Sequence, residues 1–386
     1  MTEKLYDADS FLSSFDAKVL SCEKTEKGFE ITLDKTAFFP ESGGQYGDSG
    51  KIGTAVIVQT YYRNDEIVHL SSEPLEVNSV VHCELNFEER FIKMQNHTAE
   101  HIVSSLIHKK YGYDNVGFHL SKEFTTCDFN GMLTKEQLSE IEQLANRIVY
   151  MNTPVLCYYP DKALLEKLTY RSKGELEGEV RIVEIKDVDM CACCAPHVKY
   201  TGQIGIIKIV SFIKYKSGIR ITMKSGYTAY EDYKKRSEQD EQLSVLLSAP
   251  QSDLLPALKE KLDSLDQIKA EESRIRYSMS EIIASNTAKT DRNICRYVQY
   301  YGIDDLRKLC NLLLEKTEQL CAVISDSSEG YLFVCGSNNI NMRNLSKKIS
   351  SDLNGKCGGS DTMISGKLNA DKEYIIKYFE EGLFND

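Results

Sequence analysis

RFIKMQNHTAEHIVSSLIHKKYG, residues 90–112, marks the point where the chain changes its hydrophobic period. Ile92, His97, Ile102 and Leu106 recur near helical spacing and Gly112 supplies a stop, so a helix is predicted from Glu89 to about Lys110. The text before it follows another rule. Segments such as GFEITLD (28–34) and TAVIVQTYY (54–62) alternate apolar and polar residues and are broken by Gly and Asn-Asp turns. Residues 1–88 therefore read as a small β-barrel or meander.

Downstream, KEQLSEIEQLANRIVYMNT (135–153) repeats apolar residues at three and four, with Thr134 placed to cap a second helix. QIGIIKIVSFIKYKSGIRITMKSG (203–226) is two β-rich runs joined by a Lys-Ser-Gly turn, so residues 89–226 form an α+β domain. From Tyr227 the composition shifts to charged stretches with apolar residues at helical intervals, as in LLPALKEKLDSLDQIKAEESRIRYSMSEII (254–283). Pro250 and Pro256 mark helix starts or breaks there, and residues 227–324 read as a helical or coiled-coil arm. Residues 325–386 return to strand and helix through GYLFVCGS, NLSKKISSDLN and a Gly-rich GKCGGSD, with a last helix from about Asp371, a small α/β module. The fold class is α+β.

A length of 386 residues suits two or three domains rather than one core. No apolar run approaches the roughly 20 residues of a membrane helix, and MTEKLYDADS has no secretory pattern, so a soluble cytoplasmic protein without a membrane partner is expected. The net charge of −11 excludes a surface coated in positive potential and leaves nucleic-acid contact to local patches, such as Lys214 to Arg220 and Arg343 to Lys348. Either run is also an ordinary solvated face. Twelve cysteines in such a chain are mostly buried thiols, with Cys191, Cys193 and Cys194 as the tight cluster that suggests a metal.

His97 and His101 lie four apart on the predicted helix, so both side chains leave one face and can reach one ion. CACCAPHV supplies Cys193 and His197 at the same spacing, and a thiolate beside an imidazole suits Zn²⁺. The competing reading makes the cysteines small buried hydrophobes and both spacings coincidence. A metalloprotease helix is not present, since Glu100 stands just before His101, out of place for His-Glu-x-x-His. His108 and His119 have no partner at metal spacing and read as surface or satisfied histidines. Asp128 reads as a solvent-facing or capping carboxylate, with orientation of a metal-bound imidazole as the second reading.

RFIKMQNHTAEHIVSSL resembles the HTA-x-H helix of alanyl- and threonyl-tRNA synthetase editing domains, and CCAPHVKYTGQIGIIKI resembles their second motif. DKTAFFPESGGQYGDSG (34–50) resembles the glycine-rich segment of alanine-type editing proteins, while LFVCGSNN and GKCGGSDTMISGKL resemble the DHH-associated module of alanyl-tRNA synthetases. The likeness spans nearly the whole chain and is to the long AlaX trans-editing type. Two departures stand out: Cys194-Ala195-Pro196 replaces Gly-Gly-Thr, and Ser42 replaces the first Gly of a Gly-Gly-Gly-Gln run.

The resemblance implies Zn²⁺ on His97, His101, Cys193 and His197, with Thr36 near the bound amino acid and Gln45 lining the same pocket. It implies a hydrolase that deacylates Ser-tRNA(Ala), with Gly-tRNA(Ala) as a second substrate, and a homodimer through the C-terminal arm. The alternative is a non-catalytic tRNA-binding protein in which zinc is structural. A hydrolase of small esters or peptides is the third reading.

Overall fold

The structure, a computed structural model, describes residues 2–172 and 179–382. It divides into two units, Met1–Glu241 and Gln242–Asp386.

In the first unit, β1 (Ser14–Thr25), β2 (Gly28–Leu33), β3 (Gly50–Ile52), β4 (Ala55–Arg63), β5 (Glu66–Ser71) and β6 (Val80–Leu85) close into a barrel of order β1-β2-β5-β4-β3-β6, antiparallel throughout. The alternation along β4 sends Ala55 and Ile57 inward and leaves Val56 and Val58 exposed, as the two-residue period of a strand requires. Val19, Ile31, Leu33, Ile52 and Phe38 complete the barrel core. Closure removes free sheet edges.

The chain then enters α1 (Phe87–Tyr111), whose first turn is capped by the Asn86 side chain and whose end is Gly112 at φ 71°. A left-handed residue there costs glycine little, and its N–H returns to the His108 carbonyl. α1 packs on a four-stranded sheet of order β12-β13-β8-β7, built from β7 (Asn115–Leu120), β8 (Thr125–Phe129), β12 (Ile207–Tyr215) and β13 (Gly218–Ser225). Ile102, Val103 and Ile107 meet Ile219, Ile221 and Met223 in one core, joined by Ile141 and Ala145 of α2 (Lys135–Met151). Thr134 and Gln137 form a reciprocal capping box at the start of α2. A three-stranded sheet, β9 (Val155–Tyr158), β10 (Ile182–Ile185) and β11 (Asp189–Ala192), delivers the chain to Cys193.

α3 (Tyr227–Leu247) contains the division between the units, and α4 (Leu254–Ser285) lies in the second. The helical stretch ends at Ser285, not near residue 324 as the composition suggested. Ile294–Val298 (β14) and α5 (Ile303–Leu314) belong with β15 (Leu320–Asp326) to the terminal module, because β14 pairs in parallel with β15 and α5 buries Leu306, Leu309 and Leu313 in the same apolar core. β16 (Tyr331–Ser337), α6 (Met342–Asp352), β17 (Lys356–Gly359), β18 (Met363–Leu368) and α7 (Lys372–Lys377) complete it, in a five-stranded sheet of order β14-β15-β16-β18-β17.

Candidate metal centre

Every residue of α1 from Lys93 to Ser105 is buried, so this helix has no solvent face over its middle turns. Buried polar groups need partners. Gln95 donates to the Gln203 carbonyl at 2.9 Å, Asn96 accepts from the Ser225 amide at 3.1 Å, and Glu100 accepts from Ser104 and Asn115 at 2.6 Å each. The two buried histidines of the helix, His97 and His101, are met by distant segments of the chain.

His97, His101, Cys193 and His197 present one ligand atom each, and these four atoms lie within 4.8 Å of one another. Cys193 Sγ stands 3.6 Å from His97 Nε2 and 3.4 Å from His197 Nε2. The ring centroids of His101 and His197 are 4.7 Å apart, and those of His97 and His197 4.9 Å. Three imidazoles and a thiol around a common centre are a donor set that could hold a metal ion.

The second ring nitrogens test whether that set fits an ion. His101 Nδ1 lies 3.0 Å from Asp189 Oδ2, and Arg171 grips the same carboxylate with Nε at 2.9 Å and Nη2 at 2.8 Å. Burial pushes the Asp189 carboxyl up, but the hydrogen bonds and charges of His101 and Arg171 outweigh it and hold it below the ordinary range. An ionised carboxylate only accepts, so His101 carries its proton on Nδ1. Thr98 Oγ1 donates to the Met94 carbonyl at 2.8 Å and so accepts from His197 Nδ1 at 3.0 Å. Both rings are thereby fixed as Nε2 bases. His97 Nδ1 meets Gln45 Oε1 at 2.8 Å. Each imidazole is steered by its Nδ1 contact toward a shared centre, the arrangement of oriented metal ligands. The donor set fits a metal.

The Cys193–His197 loop is clamped separately. Arg181 Nη1 donates to the carbonyls of Cys193 at 3.1 Å and Ala195 at 2.9 Å, and Ser10 Oγ donates to the His197 carbonyl at 2.8 Å. Asp7 faces Arg181 at 3.6 Å and accepts from the Tyr159 hydroxyl at 2.9 Å.

The glycine-rich segment docks on the first turns of α1 through Asp48. Arg90 Nε donates to Asp48 at 2.8 Å and to the Ala37 carbonyl through Nη2 at 2.6 Å, while Lys93 reaches Asp48 at 3.1 Å and the Gly47 carbonyl at 2.7 Å. Burial would raise the Asp48 carboxyl, yet the charges of Arg90 and Lys93 prevail and keep it low. This pairing brings Gln45 to His97.

Thr36 is also fully buried, but it bonds within the barrel to His69 and the Phe38 amide, and among the described residues to none of the four ligands. His69 Nδ1 faces the Ile31 carbonyl at 3.1 Å and must donate there, so its Nε2 accepts the Thr36 proton at 2.9 Å. The Phe38 amide donates to Thr36 Oγ1 at 3.1 Å. One lone pair remains, so Thr36 can accept from a ligand hydroxyl but cannot donate to it.

The other candidates fall elsewhere. Cys194 is exposed, 3.9 Å from Ser42 Oγ, and Cys191 is buried in a second donor group with His101 and Asp189. Both oxygens of Asp189 are already held by Arg171, which makes that carboxylate an orienting group. Asp128 is half-buried and taken up by an ion pair: it sits directly across from Arg220 on β13 and binds it in two places, at 2.6 and 2.7 Å. His108 pairs with Asp114 at the surface, and His119 is exposed. Asp189, Arg171, Thr98 and Arg181 are absent from the sequence-based set. A legible signal existed for one: Asp189, Cys191 and Cys193 share a two-residue period, which puts them on one side of an extended segment.

A model of the "Threonyl and Alanyl tRNA synthetase second additional domain" matches residues 180–222, the region of Cys193 and His197. The alanyl-tRNA editing protein AlaX-L of Pyrococcus horikoshii is 26% identical over 394 residues, which covers 97% of this chain and 97% of that one. Alanyl-tRNA editing protein AlaX-M of Methanosarcina mazei is 35% identical over 229 residues, 54% of this chain and 90% of that protein. The chain belongs to the alanyl-tRNA editing protein family. The chain matches AlaX-L over 97% of both lengths, whereas the alanine–tRNA ligase of Thermofilum pendens, 27% identical over 99% of this chain, is covered for only 44% of its length. Among the described residues, no helix is long and apolar enough to cross a membrane.

Proposed function

We propose that the chain is a trans-editing hydrolase that removes serine, and secondarily glycine, from mischarged tRNA(Ala) at a single Zn²⁺ held by His97, His101, Cys193 and His197. The observation that carries this reading is the convergence of those four donors within 4.8 Å, with the Nδ1 atoms of the three histidines engaged by Gln45, Asp189 and Thr98. Zinc, when bound, polarises an ester carbonyl and makes water more acidic. The chain does the rest. Three buried histidines and a clamped Cys193 loop keep the site rigid, and Thr36, fixed as an acceptor by His69 and Phe38, accepts a hydrogen bond from the hydroxyl of a seryl group that alanine lacks. Exposed Lys214, Lys347 and Lys348 supply phosphate contacts on an acidic protein. Leu255, Leu258, Leu262 and Leu265 lie exposed at three- and four-residue spacing along α4 and form a seam for a second copy.

The test is release of serine from Ser-tRNA(Ala), with Ala-tRNA(Ala) and Ser-tRNA(Ser) as controls. Rapid release from the first alone is expected, and equal rates on all three would reject the reading. Four protein donors is also the count of a closed structural zinc site, which favours the tRNA-binding reading as the second. Metal removal separates the two: lost hydrolysis in a folded chain supports the enzyme, and unfolding on chelation supports the structural ion.

A further inference from the structure

Gln45 is fully buried, and the main chain around it leaves it no freedom to turn away. Its amide donates to the Ser42 carbonyl and its carbonyl accepts from the Ser42 amide, both at 3.0 Å, while the Leu120 amide donates to the Gly44 carbonyl at 2.9 Å. Gly44 has φ 83°, and a Cβ there would stand 2.4 Å from the Phe118 carbonyl oxygen, so the segment admits only glycine beside the glutamine. Asp48, three residues on, is held by Arg90 and Lys93.

The two ends of the Gln45 side chain then have different duties. A metal on His97 Nε2 leaves the proton on Nδ1, which can only donate, so the group 2.8 Å away must be Oε1 of Gln45. The NH₂ group is therefore turned to the other side. Nε2 is buried and, among the described residues, has no hydrogen-bond partner. Buried donors without acceptors are rare in folded proteins, and one placed beside a metal ligand is available to a bound molecule. An acyl ester carries the matching acceptor, its carbonyl oxygen.

We propose that Gln45 Nε2 donates to the ester carbonyl oxygen of the aminoacyl-tRNA and stabilises the negative charge that develops on it. This rests on the deacylase reading. When water adds, its oxygen bonds to the carbonyl carbon and the carbonyl electron pair moves onto the oxygen facing Gln45. As that pair returns, the bond from the carbon to the ribose oxygen breaks, and the ribose oxygen takes up the proton lost by the water. Gln45 gives no proton away. It offers a preorganised dipole where charge appears, the device that contributes most in acyl transfer.

Gln45→Glu separates the two ends, since a carboxylate still accepts from His97 Nδ1 but has no donor for the substrate. In the full chain, zinc content and the visible spectrum of the Co²⁺-loaded form should match the wild type. The rate at saturating Ser-tRNA(Ala) should fall about 100- to 1,000-fold, the usual effect of losing one such donor, with little change in the half-saturating concentration. Gln45→Ala provides an independent arm: acetamide, which has N–H donors, should restore part of its rate, and dimethylacetamide, which has none, should not. Wild-type turnover by metal-loaded Gln45→Glu, or equal rescue by both amides, overturns the proposal. An inactive wild type overturns the deacylase reading along with it, and an active wild type beside an equally active Gln45→Glu overturns the donor role alone.

Discussion

Arg181 and Cys193 are joined twice: the Cys193 amide donates to the Arg181 carbonyl at 3.0 Å, and the Arg181 guanidinium returns a hydrogen bond to the Cys193 carbonyl at 3.1 Å. The thiol is thus placed by a residue 12 positions away that does not itself touch the metal centre. Arg181→Gln shortens the reach and removes the charge facing Asp7. It should weaken metal affinity about 10- to 100-fold, the range for residues that orient ligands. Competition with a chelator of known affinity measures this, and an unchanged affinity would discard the role.

Metal content gives a more direct check on the four ligands. About one Zn²⁺ per chain is expected from elemental analysis, as one tetrahedral site implies. The His97→Ala, Cys193→Ala double variant keeps only two donors and should retain essentially none. Stoichiometric zinc in that variant would move the site elsewhere.

Thr36→Val keeps the shape of the side chain but deletes the hydroxyl. Preference for seryl over alanyl ester should narrow by an amount equivalent to about 1–3 kcal/mol, the worth of a hydrogen bond in a desolvated site. Stability should fall as well, since His69 Nε2 loses its donor. Thr36→Ser should retain both properties. The ratio of the two deacylation rates decides the matter, and a wild-type ratio in the Val variant would remove Thr36 from recognition.

Much of this candidate site is legible in the sequence because helical spacing is a local property. His97 and His101 declare themselves by four-residue spacing, and Cys193 with His197 by the same count. The barrel is legible for the same reason, since strict alternation at Ala55 to Val58 needs no knowledge of the rest of the fold. What stays hidden is whatever depends on chain segments meeting. No local pattern announces that Asp128 will face Arg220 rather than a histidine, because the register of β8 against β13 decides it. Nor does composition say that α1 is buried on all sides between Lys93 and Ser105, which makes Thr98 and Glu100 interior residues. Helical periodicity over residues 227–324 does not separate the arm from the terminal module, because α5 has that periodicity whether it stands alone or covers a sheet.

His69 provides a pH test away from the metal. Burial lowers its pKa from 6.5 to about 4, so the folded chain holds it neutral while the unfolded chain takes up a proton below 6.5. Its contribution is present in full above pH 6.5 and is lost as pH falls from there to about 4, on the order of 3 kcal/mol. Denaturant titrations of His69→Gln should show a shallower loss of stability across that window. Parallel acid limbs in variant and wild type would contradict the assignment.

The exposed leucines of α4 make a prediction about association. Leu258→Glu with Leu265→Glu places two charges in the seam and should convert a dimer to a monomer, halving the mass seen by light scattering. Hydrolysis at saturating substrate should persist, since both positions lie outside the unit that carries the metal centre. A mass equal to that of the wild type would remove α4 from self-association.

The burial of α1 between Lys93 and Ser105 has a temporal consequence. The partners of its polar groups come from far along the chain: Gln45 is 52 residues from His97, Asp189 is 88 residues from His101, and His197 is 99 residues from Thr98. Closing such long loops costs entropy that is recovered only when the contacts form together, so non-local sites consolidate late in folding. A nascent chain reaches Cys193 only after the barrel and α1 have been synthesised. Until then His97 and His101 lack the Cys193 thiol and the His197 ring that complete the candidate site. The four-donor cluster is therefore assembled only once the loop at Cys193 has been made and has docked on α1.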